Sequence, residues 1–508
     1  MAFTPSTYQQ AVMDWADDIQ KRDIKENLLI EAVAGSGKST TLLELVSRLA
    51  GRVLVVAFNK HIVEEFVRML GVRGTKNVDV KTNHSLGNSA IYHSLGRVQL
   101  DDKKYFWMAK DGMTERDWDD KTLRSAVLKL TDLARLTLTD VKDKGAMEEL
   151  AFRYDLDANG SIDKALELVP LLINEGLRNL KTIDFVDQLW FPNALELPVP
   201  HYDWVLTDEC QDLCRAQQEL VLSAAKNGRI VMVGDRRQSI MGFAGADTNS
   251  IPRLIKATNA KTLPLSICYR CPKSHIDLVK SIVPQIEARP DAPEGEIRRA
   301  SFDEAIMAMS DRDMVVCRVN APLAKICLAL IKNGTKSIIR GRDIGRSLGN
   351  LLDKHAKGAD FNSQLVALDE YMRKECDKLE KRGKDVQAES LRDRVETIHA
   401  LTDGLDSMEA LKARIDAIFT DDKIGVVCSS IHRAKGLQAE RVFVYNPALM
   451  DAFIGRAKSE EAKLQETNLK YVSFTRAKSS LWLVEESPED RKAREAAAAR
   501  RALRLENV

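Results

Sequence analysis

The chain has 508 residues, which is too long for a single hydrophobic core, so we expect two to four domains. With 44% hydrophobic and 30% charged residues and a net charge of +1, it has the composition of a soluble globular protein, and no global basic field indicates a nucleic-acid partner. It contains no apolar run of about 18 residues, and residues 1–10 lack a basic start and an apolar stretch, so we expect a cytoplasmic protein without a membrane span or secretory signal.

Strand-like apolar runs alternate with helix-like segments along the chain, which predicts an α/β fold with parallel sheets covered by helices. One series runs from residue 27 to about residue 260, and a second starts near Thr262. The predicted strands lie at residues 53–58, 78–82, 204–207, 229–235, 263–267, 313–318, 337–341, 424–431, 441–446 and 480–484. The predicted domains are residues 1–260 with a helical insertion at about 88–180, residues 261–486 with a helical insertion at about 346–421, and a charged tail at 487–508.

The first strand runs into a glycine-rich turn with the sequence IEAVAGSGKST at residues 30–40. Gly35 and Gly37 let the backbone bend so that successive N–H groups face one anion, and a helix beginning near Lys38 adds its partial positive charge. We expect Lys38 to reach the outer phosphates and the Ser39 hydroxyl to bind Mg²⁺. The alternative is an ordinary glycine-rich turn with a surface lysine. The predicted nucleotide-binding residues of this turn are Ala34, Gly35, Ser36, Gly37, Lys38, Ser39 and Thr40.

An acidic pair, Asp208 and Glu209, follows the strand at residues 204–207. A carboxylate at such a strand end can hold Mg²⁺, and the one beside it is placed to polarise the attacking water. Taken alone, adjacent acids there are as often a solvated turn. Because they follow a phosphate-binding turn, they predict a nucleoside triphosphatase that uses Mg²⁺.

The eight cysteines include two pairs whose spacing also occurs in zinc or iron–sulfur sites, Cys210 with Cys214 and Cys268 with Cys271. Cys210 lies inside the acidic motif and Cys268 follows an apolar strand, so we interpret both as small core residues. Reduced thiols fit a cytosolic protein.

The order of the motifs resembles that of superfamily 1 helicases of the UvrD/Rep (PcrA-like) type, of which this chain would be a short member. The similarity spans Gln9 to Lys478 and is weakest in the two insertions. It implies two RecA-like domains and ATP-dependent movement, 3′ to 5′, on single-stranded DNA. The segments that carry it are residues 4–12, 57–66, 81–87, 182–190, 233–247, 263–272, 317–323, 341–345, 429–443 and 466–481.

The resemblance also implies roles in ATP binding and hydrolysis. In this family a glutamine reads adenine, an aromatic ring stacks on the base, and a side chain contacts the ribose. Arginines from the second half act as fingers, and such a finger contributes roughly 10³–10⁵-fold in rate. The matching residues here are Gln9 (with Gln10 as the alternative), Tyr269, Gln438, Arg270 and Arg476, while Asp235 and Gln238 would sense the γ-phosphate and the water.

Contacts with single-stranded DNA are implied at strand ends in both halves. Aromatic rings would stack on bases, and polar side chains would touch phosphates or bases. For Phe58, a core position is an equally good interpretation. The matching residues are Phe58, Asn59, Lys60, Thr82, His84, Phe243, Ser430 and His432.

Four positions depart from the family pattern. Ala32 stands where the phosphate-binding turn usually opens with glycine, and Gln438 replaces a common glutamate. Met241 and Ala244 replace a frequent tyrosine and a frequent arginine, which removes one ionic contact from the loop that links nucleotide to DNA.

We therefore expect a monomeric ATP-dependent DNA helicase or translocase of bacterial or phage type. Its partners would be single-stranded DNA, duplex junctions, and replication or repair proteins, with no membrane. Two alternatives stay open. One is a translocase that strips proteins from single strands without unwinding, and the other is a nucleic-acid-binding switch regulated by ATP.

Overall fold

The computed structural model describes residues 4–57, 60–73, 77–154, 156, 162–240, 249–381, 385–422, 424–457, 459–488 and 491–492. The chain divides into two compact units, Met1–Ile267 and Cys268–Val508. Each unit contains a parallel sheet and a group of helices inserted between its strands.

The first unit alternates strands with helices. Its elements are α1 (Thr7–Arg22), β1 (Leu28–Ala32), α2 (Lys38–Val46), β2 (Val53–Ala57), α3 (Lys60–Arg73), β3 (Val78–Thr82), α4 (Asn83–Leu95), β4 (Gln99–Leu100), α5 (Lys104–Gly112), α6 (Glu115–Asp119), α7 (Lys121–Thr137), α8 (Lys144–Arg153), α9 (Ile162–Arg178), β5 (Thr182–Ile183), α10 (Asp187–Ala194), β6 (Trp204–Thr207), α11 (Arg215–Ala224), β7 (Arg229–Gly234), α12 (Ser250–Thr258) and β8 (Lys261–Leu265), with 3₁₀ turns at Cys210–Asp212 and Arg236–Gln238.

Six strands of the first unit form a parallel sheet in the order β3-β2-β6-β7-β1-β8. Alternate residues of β1 enter two separate cores, Leu28 and Ile30 on the face covered by α1 and α2, and Leu29 on the face covered by α11. Because both faces are buried, the central strands are continuous apolar runs.

Strand β8 corrects one prediction. The apolar run near Thr262 was predicted to begin the second half of the chain. In the structure this run is β8, which pairs in parallel with β1 and forms one edge of the first sheet. Asn27 helps to hold it there, because its backbone carbonyl accepts from Lys261 N at 2.9 Å and its side-chain amide donates to the Thr258 carbonyl at 2.9 Å. Pro264 is tolerated because β8 is an edge strand.

Helices α5 to α9 pack around a hydrophobic core of their own. Beside it lies a buried charged group, here called the Arg135 cluster, which consists of Lys104, Arg135, Asp184 and Asp187. Arg135 donates from Nη1 and Nη2 to both oxygens of Asp184, at 2.9 and 2.8 Å, and from Nη1 to Asp187 at 2.8 Å. Lys104 donates to Asp187 at 2.8 Å. Two cations therefore balance two carboxylates, and they tie α5 and α7 to the segment that leads into α10.

The second unit follows the same plan. Its elements are β9 (Ile267–Cys268) at the boundary, α13 (Lys273–Val279), β10 (Glu287–Ala288), β11 (Glu296–Ala300), α14 (Phe302–Ala308), β12 (Met314–Cys317), α15 (Ala321–Lys332), β13 (Ser337–Arg340), α16 (Arg342–His355), α17 (Phe361–Lys381), α18 (Asp385–Leu401), α19 (Met408–Ile418), β14 (Phe419–Thr420), β15 (Val426–Ser430), α20 (Ile431–Ala434), β16 (Ala439–Tyr445), α21 (Pro447–Arg456), α22 (Glu460–Phe474) and β17 (Ala477–Val484).

Seven strands form its parallel sheet in the order β11-β17-β16-β12-β15-β13-β14. One core joins this sheet to α15 and to helices α16 to α19. The Asp393 carboxylate of α18 accepts from the backbone N–H groups of Asn320 and Ala321, each at 2.8 Å, and so caps the positive end of α15. Two parallel sheets in separate units confirm the predicted α/β class with two RecA-like domains, while the other predicted domain boundaries stay predictions.

All eight cysteines are buried and free, which confirms the core positions predicted for Cys210 and Cys268. Within the described ranges, no helix has both the length and the apolar character needed to cross a bilayer.

Candidate functional site

The predicted phosphate-binding and acidic residues follow neighbouring strands of the first sheet. Residues 33–37 follow β1, Asp208 follows β6 and Asp235 follows β7. These strands are adjacent in the order β6-β7-β1, and the carboxyl ends of parallel strands meet at one edge of a sheet. The fold therefore brings the glycine-rich turn and the carboxylates together.

The glycine-rich turn adopts a backbone that requires glycine. Gly35 has φ 68° and Gly37 has φ 78°, in the left-handed region that a Cβ disfavours, and Gly37 is the N-cap of α2. Ser36 is buried, and its hydroxyl has no hydrogen-bond partner among the described residues. Ala34 is buried, Ser39 is half-buried and Thr40 is exposed.

Lys38, the first residue of α2, makes an ion pair with Glu209. Its Nζ lies 2.7 Å from Glu209 Oε1, and the two side chains are only 12% and 20% exposed. Burial works against the charged amine, but the carboxylates of Glu209, Asp208 and Asp235 outweigh it and raise the pKa of Lys38 above its usual range. The residue that sequence reasoning assigns to the phosphates is thus held as a cation.

Gln211 connects the two acidic strand ends, and sequence reasoning missed it. Its amide nitrogen donates to Glu209, and its amide oxygen accepts from Asp235 N at 3.0 Å. Gln238 donates to the Asp235 carboxylate at 2.8 Å, and burial raises the pKa of that carboxyl. The structure therefore brings together Glu209, Asp235 and Gln238, three of the predicted residues. The only hint in the sequence was a polar residue two positions after the acidic pair.

Gln9 lies beside the same turn with its amide already engaged. Its oxygen accepts from Ser6 N at 3.0 Å and completes a capping box at the start of α1, while its nitrogen donates to Thr41 Oγ1 at 3.1 Å. This contact joins α1 to α2 one turn after the glycine-rich loop. Gln10, the alternative, donates instead to Asp14. A role of Gln9 in reading adenine stays a prediction.

The residues of this edge fit a nucleoside triphosphate and Mg²⁺. Phosphate oxygens need several donors, and the turn offers a cationic lysine and an orphaned, buried Ser36 hydroxyl next to glycine amides. Mg²⁺ in such sites needs only one or two protein oxygen ligands in addition to phosphate and water. Ser39 and Asp208 are the residues that would hold it.

Some of the predicted DNA-binding residues of the first unit lie at neighbouring strand ends. Lys60 is exposed at the start of α3, and Thr82 caps α4 by accepting from Ser85 N at 3.1 Å. His84 makes an edge-to-face contact with Phe185, whose ring is 52% exposed, and burial lowers the pKa of His84. The predicted residues Phe58, Asn59 and Phe243, and the departures Met241 and Ala244, lie outside the described residues.

Phe185 was not proposed from the sequence, although it lies in residues 182–190, one of the segments that carry the family resemblance. An exposed phenylalanine beside a neutral imidazole is a surface on which a base can stack. Phe185 becomes a candidate only through its contact with His84 of α4, and a local sequence pattern cannot show a contact between distant residues.

In the second unit, Arg270 and Gln438 are direct partners. Arg270 Nε donates to Gln438 Oε1 at 2.8 Å, and its Nη1 donates to the Thr475 carbonyl at 3.0 Å. Arg476 is 1% exposed and donates to the carbonyls of Val472, at 2.9 Å, and of Leu437.

Tyr269, beside Arg270, is 39% exposed. Arg270 therefore joins Gln438 to the residue that precedes Arg476, and Tyr269 precedes Arg270 in the chain, so the four predicted nucleotide residues of the second unit lie in one region.

Ser430 and His432 lie where β15 passes into α20. Ser430 is the buried N-cap of this short helix. Burial, and then the nearby Arg318, lower the pKa of His432 well below its usual range. Both predicted DNA-binding histidines are therefore neutral near pH 7 and suited to hydrogen bonding or stacking with bases rather than to pairing with phosphates.

Comparisons with known proteins identify the family of the chain. The sequence matches the UvrD/REP helicase N-terminal domain over residues 16–259 and the UvrD-like helicase C-terminal domain over residues 425–484. F-box DNA helicase protein 1 of Schizosaccharomyces pombe is 24% identical over 514 residues, which cover 90% of this chain and 55% of that protein.

Two bacterial relatives are similar at the same level. ATP-dependent DNA helicase PcrA of Leuconostoc citreum is 24% identical over 50% of this chain and 37% of its own length. DNA helicase II of Escherichia coli is 24% identical over 54% of this chain and 41% of its own length. The chain thus spans about half the length of these curated relatives or less.

Among solved structures, the arterivirus helicase nonstructural protein 10 aligns with 91% of this chain and 59% of its own, at 11% identity and a TM-score of 0.36. That score is too low to establish a shared fold, so the fold assignment rests on the two parallel sheets themselves. Because the two family models match residues 16–259 of the first unit and residues 425–484 of the second, the chain belongs to the UvrD/Rep-type superfamily 1 helicases.

Proposed function

We propose that this chain hydrolyses ATP to move 3′ to 5′ along single-stranded DNA and to separate duplex strands. The observation that carries the proposal is the contact between Lys38 and Glu209 at the carboxyl edge of the first sheet. It joins a phosphate-binding turn to an acidic strand end in a chain of a helicase family. All three relatives named above carry DNA helicase in their names, and one of them is named as ATP-dependent.

The contact also suggests how hydrolysis would begin. The triphosphate would compete with Glu209 for the Lys38 cation, since both are anionic partners of the same ammonium group. Once Lys38 turns to phosphate, the Glu209 carboxylate is available to orient and deprotonate the attacking water. Gln211 and Gln238 hold Glu209 and Asp235 by hydrogen bonds, so they would keep these carboxylates in place.

Arg270 and Arg476 are proposed to supply positive charge to the transferred phosphate. Support comes from the second unit alone, where Arg270 is oriented by Gln438 and by the carbonyl that precedes Arg476. Tyr269 and Gln9 would contact adenine, and Gln438 would reach the ribose. Because hydrolysis would need residues from both units, its rate would change when the units move.

DNA is proposed to pass over the strand ends that carry Lys60, Thr82 and the His84–Phe185 pair, and over Ser430 and His432. Phe185 and His84 provide a ring surface, and Lys60 provides a phosphate contact. Phe58, Asn59 and Phe243 stay candidates for the same surface. We further propose a monomer that meets duplex junctions and replication or repair proteins.

The decisive test measures ATP hydrolysis with and without single-stranded DNA, for the wild type, Lys38→Ala and the exposed control Lys226→Ala. We expect stimulation by DNA in the wild type and the control. Loss of one charged group aimed at the reacting phosphates should lower the Lys38→Ala rate by about 10²-fold or more. Near-normal turnover in that variant would remove the phosphate-binding assignment.

Direction and output are tested separately on duplexes with a 3′ or a 5′ tail. Unwinding of the 3′-tailed substrate supports the full proposal. Displacement of streptavidin from single strands without unwinding would indicate a stripping translocase. Stimulation that does not grow with strand length would instead indicate an ATP-regulated binding switch.

A further inference from the structure

Cys268 and Cys271 form a C-x-x-C pair, CYRC, around the proposed nucleotide residues Tyr269 and Arg270. Both thiols are buried, at 0% and 2% exposure. The backbone N–H of Cys271 donates to Cys268 Sγ at 3.4 Å. Neither the family assignment nor the proposed hydrolysis gives these two thiols a task.

The surroundings of the pair favour thiol chemistry over metal binding. Among the residues that the structure describes, no group of three or more His, Cys, Asp or Glu side chains is placed to hold a metal ion, so the pair has no further ligands. A hydrogen bond from the Cys271 thiol, assisted by backbone N–H groups and the Arg270 charge, lowers the pKa of Cys268 to about 7 in spite of its burial. The lowered pKa favours the thiolate of Cys268, and thiolate is the reactive form.

The pair is connected to both proposed arginine fingers. Cys271 Sγ lies 3.6 Å from the Thr475 carbonyl, the same oxygen that accepts from Arg270 Nη1 at 3.0 Å. Arg476 follows Thr475 directly, and its Nη2 also donates to Thr475 Oγ1. The Cys271 thiol proton can be donated either to Cys268 Sγ or to this carbonyl, and a disulfide would remove it and tighten the turn that carries Arg270.

We propose that Cys268 and Cys271 are a redox site, which a peroxide converts to a disulfide that displaces Arg270 and slows ATP hydrolysis. The effect on hydrolysis rests on the proposed function, whereas formation of the disulfide does not. A small peroxide is the appropriate oxidant because both sulfur atoms are buried.

The reaction balances in two steps. The Cys268 thiolate attacks one oxygen of hydrogen peroxide, the O–O bond breaks, and the departing hydroxide takes up a proton to become water, which leaves a sulfenic acid on Cys268. Cys271 then loses its proton and attacks that sulfur. The S–S bond forms as the S–O bond breaks, and the second oxygen leaves as water. The two thiols are oxidised by two electrons, and the peroxide is reduced to two waters.

A second cysteine pair offers a matched control. Cys327 of α15 and Cys428 of β15 are buried and hydrogen-bonded to each other, and Ser337 Oγ lies 3.6 Å from Cys428 Sγ. They lie in the core of the second unit, and neither neighbours an arginine assigned to nucleotide.

The test treats the whole protein with hydrogen peroxide, removes the excess with catalase, and blocks the remaining thiols. Peptide mass spectrometry then locates any disulfide. DNA-stimulated ATP hydrolysis is measured on the same samples before and after dithiothreitol. The variants are Cys271→Ser, which keeps a hydroxyl donor toward Thr475 but cannot form the bond, and Cys327→Ala as the control.

We expect a Cys268–Cys271 disulfide in the wild type and in Cys327→Ala, with hydrolysis reduced at least about ten-fold, since a displacement of about 1 Å at a reacting centre can cost about 10²-fold. Dithiothreitol should restore the rate. Cys271→Ser should show no reversible loss.

Absence of the Cys268–Cys271 disulfide at peroxide levels that oxidise other thiols would overturn the inference, whatever the rate of hydrolysis. A disulfide that leaves the rate unchanged would overturn the switch. If the reduced wild type does not hydrolyse ATP, the proposed function fails, and the disulfide map still decides the redox site.

Discussion

Removal of one buried guanidinium should loosen the segment that presents Phe185. Arg135 is fully buried and makes five hydrogen bonds, three of them to Asp184 and Asp187, which lie on either side of Phe185 in the chain. Its guanidinium also lies 3.7 Å from the centre of the Tyr105 ring. The substitution Arg135→Met keeps much of the side-chain volume and deletes the charge.

The expected cost follows from the remaining charges. In Arg135→Met, the carboxylates of Asp184 and Asp187 face a single cation, Lys104, in a site closed to water. Breaking a buried ion pair by removing one partner costs about 3–5 kcal/mol. A loss of that size raises the equilibrium constant for local opening by about two to three and a half orders of magnitude. Because Phe185 is held by this segment, affinity for single-stranded DNA should fall as well.

Hydrogen exchange is the appropriate measurement, because a protein of two units does not unfold in one step. The peptides to follow cover residues 182–194. The matched control is Arg178→Met, because the Arg178 side chain is 79% exposed and its ion pair with Glu175 is long, at 3.6 Å. The control should change stability by no more than about 0.5 kcal/mol. If exchange in Arg135→Met were no faster than in the control, the cluster would not hold this segment.

Three further predictions concern ATP hydrolysis and DNA binding. Glu209→Gln should still bind nucleotide but hydrolyse it about 10²-fold more slowly or worse, as measured by fluorescent-nucleotide binding and steady-state turnover; a normal rate would mean that another group activates the water. Arg476→Ala should likewise bind nucleotide and lose at least about 10²-fold in turnover, and an unchanged rate would exclude Arg476 from the reaction. Lys60→Ala should reduce the slope of log affinity against log salt by about 0.7, whereas His84→Ala should weaken binding without changing the slope because its imidazole is neutral; equal slopes for both variants would contradict this assignment.

The strands of both sheets were largely predictable because parallel strands buried on two faces form continuous apolar runs. Strands β2, β6, β12 and β15 lie where such runs predicted them. Strand β11 was missed because it is an exposed edge strand with the sequence EIRRA, and charged residues at an edge hide the apolar pattern. The sheet to which β8 belongs could not be inferred either, since it depends on Asn27, far away in the chain.

The same division between local and distant information holds in the candidate site. Lys38, Asp208 and Glu209 were predictable because a turn or a strand end dictates each of them locally. Gln211, Phe185 and Arg135 were not, because each acts through a partner that only the fold supplies: Asp235, His84 and Asp184, respectively. Gln211 links the ends of β6 and β7, whereas Phe185 contacts α4 and Arg135 joins α7 to the segment before α10. On the proposed function, substitutions at Gln211 and Arg135 should lower the stimulation of ATP hydrolysis by single-stranded DNA more than they lower the basal rate of hydrolysis or the affinity for DNA.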